Sequence, residues 1–508
     1  MKAPLCTNLA PDTITPAPSH GKAWRRVVWC FHLIFLCGFL ATMLALGYKI
    51  VRFSMGGHIS ADYGIRWSEV HALQQGIDPY DIWTCKITHP YLYPVDGYNY
   101  CWSRIDFDVN AEIFNEISQN ILLSIENGTN VKPTDKNYFP GVGVYPPNAY
   151  TFFWPFSKLP LTVGERIWFS ITFAVYFLSL YFVYRRIKPQ NPLLTGKQLF
   201  FIILAGAGFA PLAWFALIAN GNYGAIHLGA LIILLVSLEC SERFESQGKH
   251  LKSVLWQFVG GIAFAILLVK PQIGLLFGLP LLLSRKWMII IVAGILSIAA
   301  CFPPALMCGK SPLELLLHLQ NSGIPWYQGS AFIPKIVQDQ LWDLGLGRLG
   351  MKISMLAGII TCTFLSWRTR NDADWLVRLL PAIVLAPIWT FASKNDALIY
   401  VFVITFFVLR IVKKTPDWKF STFFVFILAI FVNIIPPYLK TYYLTRFWLF
   451  ITNPSIFLVN RQNLFNDLSD ELDYLIWNLD SFFKPALLLC FVFWIYRYYK
   501  PCKKTFSV

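Results

Sequence analysis

The chain has 508 residues, of which 56% are hydrophobic and 17% aromatic while only 14% are charged. Soluble domains carry about a quarter charged residues, so water is not the main solvent for this chain, and its backbone polar groups must be satisfied inside its own helices. The net charge of +15 is not gathered into one basic patch with interleaved aromatics, which argues against nucleic acid as a partner; Lys and Arg fall in short clusters between apolar runs, the signature of the positive-inside rule.

In chain order, Lys22, Arg25 and Arg26 close a cytoplasmic tail of residues 1–26 and precede the apolar run Val27 to Tyr48, long enough to span and without a small-residue cleavage site after it. This is an uncleaved signal anchor. The polar stretch Lys49 to Pro147 holds more carboxylates than basic residues and is placed outside, so residues 49–160 are expected to form a large outer loop. An amphipathic helix starts near Asp62, and the aromatic segment Tyr150 to Pro160 is too short to cross, which predicts a re-entrant or interfacial piece.

A span near 164–184 ends at the cytoplasmic Arg185, Arg186 and Lys188, and spans near 199–219 and 225–238 are joined outside by the turn Asn220 to Gly224. Between Ser253 and Ser284 there is no room for two helices of about 20 residues, so a short hairpin with Lys270-Pro271-Gln272 at its apex is predicted, returning to the cytoplasm at Arg285 and Lys286. A span at 288–306 leads to an outer loop with an amphipathic run at 312–319, and further spans follow near 351–367, 376–391, 397–410, 422–435 and 482–496. The expected architecture is all-α: a polytopic transmembrane helical bundle of about 12 spans over residues 27–497, with a cytoplasmic tail at 498–508.

Two groups in this scheme carry unusual charges. Asp62 lies where a helix leaves the membrane, and reduced dielectric there raises a carboxylate towards the range of a useful general base; the plainer reading is an N-cap for the helix that begins at that point. Lys270 sits in an apolar hairpin, where a cation costs about 2.5–3.5 kcal/mol unless it is partnered or snorkels, and a lipid phosphate is one such partner. Arg66, Glu69, Lys394 and Asp396 are candidate sugar or phosphate contacts, with a solvated face as the alternative for each. His318 on the outer amphipathic run faces either head groups or the site. Tyr63, Trp67 and Trp326 are placed to stack on sugar rings, or to join an interfacial aromatic belt.

The eleven cysteines show no CxxC or metal-ligand spacing. Cys85 and Cys101 share the first outer loop, where an oxidising compartment would allow a disulfide. No Gly-rich nucleotide cradle or Asp-x-Asp pair is present to hold a nucleotide sugar with its metal, so no metal or other cofactor is expected.

The stretch Asp62, Tyr63, Trp67, Leu73, Gly76, Pro79, Tyr80 and Asp81 resembles the first outer loop of glycosyltransferase family 87, the polyprenyl-phosphate-sugar-dependent membrane enzymes of C-type fold. Tyr145-Pro146-Pro147 with Trp154-Pro155-Phe156 and Leu159-Pro160 is similar to that family's Tyr-Pro-Pro segment, and Lys270-Pro271-Gln272 to its Lys-Pro-Gln hairpin. The turn at Gly221 and Asn222 departs from the usual Gly-Gln, and Ser393 to Asp396 departs from the family's aromatic and His pattern.

The resemblance implies an inverting transfer of a sugar, mannose foremost and arabinofuranose or glucose next, from a polyprenyl-phosphate donor to a lipid or glycan hydroxyl. Asp62 would be the base, Lys270, Gln272 and Arg66 would hold the donor phosphate, and Tyr63, Trp67, Asn222, His318, Lys394 and Asp396 would contact sugar or acceptor. It further implies a monomer among membrane lipids, in a bacterial inner membrane with its site facing the periplasm. The rival reading is a secondary transporter or lipid-linked-sugar flippase. Against it stand the long first loop and its acid at the membrane edge, since transporters keep their charges near mid-membrane.

Overall fold

The computed structural model describes residues 61–80 apart from 75 and 77, 145–187, 222–321, 344–389, 398–412, 415–434 and 482–499, with a few positions between 331 and 341. Among the described residues there is no strand. The first predicted span, the span near 199–219, Cys85, Cys101, Lys394 and Asp396 lie outside the described residues.

The helices in chain order are α1 (Ala61–Gln74), α2 (Pro147–Ser157), α3 (Leu161–Ile187), α4 (Gly224–Ser246), α5 (His250–Leu267), α6 (Pro271–Leu283), α7 (Trp287–Ala299), α8 (Phe302–Met307), α9 (Pro312–Asn321), α10 (Gly347–Thr369), α11 (Trp375–Leu385), α12 (Tyr400–Val412) and α13 (Trp418–Ile434), followed by α14 at 482–498. Five stretches are long and apolar enough to cross a membrane: Val163–Arg185, Gly224–Ser246, His250–Leu267, Trp287–Met307 and Gly347–Thr369. Exposed Leu, Ile and Phe on α5, α7 and α10 form the outward faces such helices present to lipid.

The short helices have chemical causes. Proline at the first position starts α2 and α6, and at the second position opens α8, where its missing N–H costs nothing. The run read from the sequence as one span at 288–306 turns at Ala300 and Cys301, and α8 restarts on Pro303 and Pro304. Similarly, the segment read as a span at 376–391 is helical only to Leu385.

The α5–α6 hairpin has unequal legs of 18 and 13 residues, about 27 and 20 Å at 1.5 Å per residue. Its legs touch backbone to backbone at Gly274, where an added Cβ would stand 2.5 Å from the Leu267 carbonyl oxygen. Trp389, after α11, donates from its indole to the Gln272 carbonyl and accepts at its own carbonyl from Ser354 of α10 at 2.7 Å, which fixes the start of α6 against α10 and α11.

Two apolar cores result. The larger joins α3 to α7 with α10 to α14. The smaller is made by the short helices, from Tyr63, Val70, Leu73, Tyr80, Tyr145, Tyr150, Phe153, Trp168, Tyr223 and Val269 among others. Val269 belongs to the smaller core and its neighbours on α5 and α6 to the larger, so the turn carrying Lys270 stands at the seam.

Candidate active site

The site forms where α4 and α6 begin. Lys270 is the N-cap of α6, Asn222 precedes the N-cap of α4, and the Lys270 ammonium donates to the Asn222 amide oxygen at 2.8 Å. Both residues are buried. Neither N-cap side chain bonds into its helix, and the Lys270–Asn222 bond links the starts of two helices, the positive ends of their dipoles.

Two cations share one ring there. The Arg66 guanidinium carbon stands 3.7 Å from the Tyr145 ring centroid and the Lys270 nitrogen 5.5 Å from it, the geometry of cation–π attraction. Arg66 also pairs with Glu69 along α1, and both are buried. Burial opposes the Arg66 charge, but the Glu69 carboxylate outweighs it and holds the guanidinium above its usual range, so it stays a cation. The Tyr80 hydroxyl donates to the Tyr145 carbonyl at 2.5 Å, and burial pushes that hydroxyl well above the usual phenol range. The Tyr223 ring lies tilted against that of Tyr145 with centroids 5.4 Å apart, and its hydroxyl donates to the Ala149 carbonyl at 3.3 Å.

α1 brings its residues to the seam by helical spacing. Tyr63, Arg66, Val70 and Leu73 form its buried face, and Asp62 belongs to its first turn, one turn ahead of Arg66. The Asp62 side chain lies outside the described residues. Tyr63 is fully buried against Phe153 and Trp168, its hydroxyl 3.5 Å from the Phe156 carbonyl. Trp67 is half-buried and donates to the Leu159 carbonyl at 3.0 Å. Gln272 stands in the first turn of α6 beside Lys270. Trp326, Asp81 and Gly221 lie outside the described residues.

A second group of charges had little signal in the sequence. Gly76 closes α1 with a left-handed φ of +80°, and the chain then turns so that Asp78 accepts the Tyr80 N–H at 2.8 Å through one oxygen. The other oxygen takes the Lys310 ammonium at 2.7 Å and His318 Nδ1 at 3.0 Å, with Lys310 and His318 3.3 Å apart. Asp78 is buried, while the His318 side chain keeps 38% of its exposure. α9, which carries His318, begins with a reciprocal cap: Ser311 N–H donates to Glu314 at 2.6 Å and Glu314 N–H to the Ser311 hydroxyl at 3.2 Å. The bond from the Ser311 backbone holds the Glu314 carboxyl below its usual range.

Sequence reasoning reached Arg66, Lys270, Asn222 and His318 but passed over Asp78, Lys310, Tyr145 and Tyr223 as parts of a site. The Asp-Pro step at Asp78 and the cation at Lys310, just after an apolar helix, were the available signals.

A helical bundle with several bilayer-length helices defines a polytopic membrane protein, and its short helices bring two buried cations, Lys270 at the start of α6 and Arg66 on α1, to one aromatic ring. Residues 144–436, more than half of the chain, match the family model described as glycosyltransferase family 87, and the chain belongs to that family. It is therefore an integral membrane glycosyltransferase, an enzyme that takes a sugar donor and an acceptor. The match includes Tyr145-Pro146-Pro147 and Lys270-Pro271-Gln272 and begins after the Asp62 stretch. No curated protein and no solved structure matches the chain.

Proposed function

We propose that this enzyme transfers a sugar, mannose foremost, from a polyprenyl-phosphate carrier to a hydroxyl of a lipid or glycan, as a monomer in a bacterial inner membrane with its site on the periplasmic face. The observation that carries the reading is the meeting of the α4 and α6 N-termini with Lys270 and Arg66 around Tyr145. A lipid phosphate linked to a sugar has one negative charge. When the sugar departs, the phosphate becomes a monoester and gains a second, so donors already aimed there favour the product side of the step and reorganise little as the charge grows.

In the proposed step, the Asp62 carboxylate takes the proton of the acceptor hydroxyl, and the oxygen attacks the anomeric carbon on the face opposite the phosphate. The bond from that carbon to the phosphate oxygen breaks, its electron pair stays with the phosphate, and configuration inverts. A base of this kind contributes about a hundred- to ten-thousandfold in rate.

The test is incubation of purified enzyme in lipid nanodiscs with radiolabelled polyprenyl-phosphate mannose, glucose or arabinofuranose, followed by extraction of products. Transfer by the native chain that is lost in Asp62→Asn and Lys270→Met is the expected result. Transfer undiminished by Asp62→Asn sinks the base assignment, and movement of intact lipid-linked sugar across the bilayer without transfer supports the flippase reading.

A further inference from the structure

Two polar side chains beside Lys270 are buried with polar atoms that make no bond among the described residues. His227, in the first turn of α4 and 1% exposed, has neither ring nitrogen hydrogen-bonded among the described residues. Its ring stands 6.1 Å from that of Tyr223 and within the field of Lys270. Asn148, near the start of α2 and 7% exposed, donates from its amide nitrogen to the Leu268 carbonyl at 3.4 Å. That bond fixes the amide against the turn that carries Lys270, and the amide oxygen is left without a partner among the described residues. The Tyr223 hydroxyl, donating to Ala149, connects the two helices.

Their chemistry is complementary to that of the phosphate donors. A phosphate oxygen only accepts, as does the Asn148 amide oxygen, so the partner that suits Asn148 is a hydroxyl. A neutral imidazole has one donor and one acceptor nitrogen and pairs equally with a hydroxyl, which also donates and accepts. Lys270 and the two helix N-termini offer donors, and Asn148 and His227 add acceptors beside them. A phosphate bearing a polyol satisfies both halves at once.

We infer that Asn148 and His227 read the hydroxyls of the sugar on the donor phosphate and set which sugar is transferred, while Lys270 holds the phosphate whatever sugar it bears. This rests on the lipid-phosphate donor proposed above. Sites built to hydrogen-bond a hydroxyl discriminate strongly against analogues lacking it, because their buried polar groups are then left unpaired.

The experiment measures kcat/KM of the full chain in nanodiscs for polyprenyl-phosphate mannose, glucose and arabinofuranose and for single-deoxy mannose donors, with inhibition by sugar-free polyprenyl phosphate as a separate readout. Asn148→Leu and His227→Leu are expected to lose about tenfold to a hundredfold on the preferred donor, since a lost bond of 1.4 kcal/mol is tenfold. Each should lose far less on the one deoxy donor that lacks its partner hydroxyl, and inhibition by polyprenyl phosphate should hold within about threefold. His227→Gln, which restores a donor and an acceptor, should recover part of the loss. Lys270→Met should show the reverse pattern, with weakened inhibition and unchanged sugar ranking. An equal loss on every donor, or unaltered preference in both leucine variants, overturns the inference while leaving the transferase reading standing. No turnover of any polyprenyl-phosphate sugar by the native chain overturns that reading, and the inference with it.

Discussion

Charge is buried in two regions of this protein, and the two are satisfied in opposite ways. Asp417, in the turn between α12 and α13, accepts from Arg410 at 2.6 Å, Thr415 at 2.6 Å, Trp494 at 2.6 Å and Ser421 at 3.4 Å, so both its oxygens are used by neighbours in the fold. Nearby, Glu242 on α4 takes Arg378 of α11 at 3.1 Å and Lys286 at 3.7 Å. These bonds close on themselves and tie helix ends together. Around Lys270 the cations share an aromatic ring, two N-cap side chains leave their helices uncapped, and His227 and Asn148 keep polar atoms unbonded among the described residues. A network that closes on itself serves stability, and unbonded buried polar atoms beside a cation are what the ligand proposed above would use.

Substitutions should separate the two regions by what they cost. The largest effect is expected from Asp62→Asn, with kcat down about a hundred- to ten-thousandfold and an unchanged melting curve; a loss of folding instead would make Asp62 a structural residue of the first turn of α1. Lys270→Met should lower kcat about a hundred- to a thousandfold, the usual range for one donor at a developing negative charge. It too should leave melting unchanged, so a large fall in melting temperature would move Lys270 into the class of Asp417.

Asp417→Ala should do the opposite and destabilise by about 3–5 kcal/mol, because the Arg410 cation loses its buried partner. The measurement is chemical unfolding in detergent, and residual enzyme that stays folded should retain its kcat. Gly274→Ala should cost about 1–3 kcal/mol by overpacking the hairpin, read as a lower melting temperature.

The smallest expected effect is on acid stability. Burial alone would raise the Asp417 carboxyl, but its bonds from Arg410, Thr415 and Trp494 outweigh burial and hold it below the usual range. A depressed value in the folded state contributes stability that is complete above the unfolded carboxylate value of about 3.9 and is lost as pH falls through the folded one. Melting between pH 7 and about 3 should therefore fall more steeply in the native chain than in Asp417→Asn, which has no carboxyl to protonate. Parallel curves would remove Asp417 from the stabilising network.

Much of the scaffold is legible in the sequence because hydropathy and proline act locally. The limited length between Ser253 and Ser284 compels a short hairpin, and the prolines around Tyr150 bound a helix too short to cross. The expected span at 288–306 corresponds to the apolar stretch Trp287–Met307, and only the turn at Ala300 within it went unread, since hydropathy does not register a break that leaves the run apolar. The site was legible only where charge stands out against its surroundings, as at Lys270 and Arg66. Asp78 meets Lys310 and His318 across 232 and 240 residues, a pairing that no local pattern encodes. His227 and Asn148 escaped notice for a different reason: each is a polar residue near the start of its helix with apolar neighbours in sequence, indistinguishable there from a satisfied core position.

The unequal legs of the α5–α6 hairpin set a depth gauge. With both feet at the cytoplasmic surface, as Lys249 and Arg285 suggest, the shorter leg of about 20 Å stops well short of a hydrocarbon core of about 30 Å. The Lys270 end of the hairpin then stands below the level of the surrounding head groups. A carrier lipid of the proposed kind would have to draw its phosphate downward to dock there while its tail remains in the bilayer. On the lipid-phosphate donor proposed above, that depth would favour molecules anchored by a long chain over water-soluble ones with the same headgroup, through the length of a helix instead of through any contact with the chain itself.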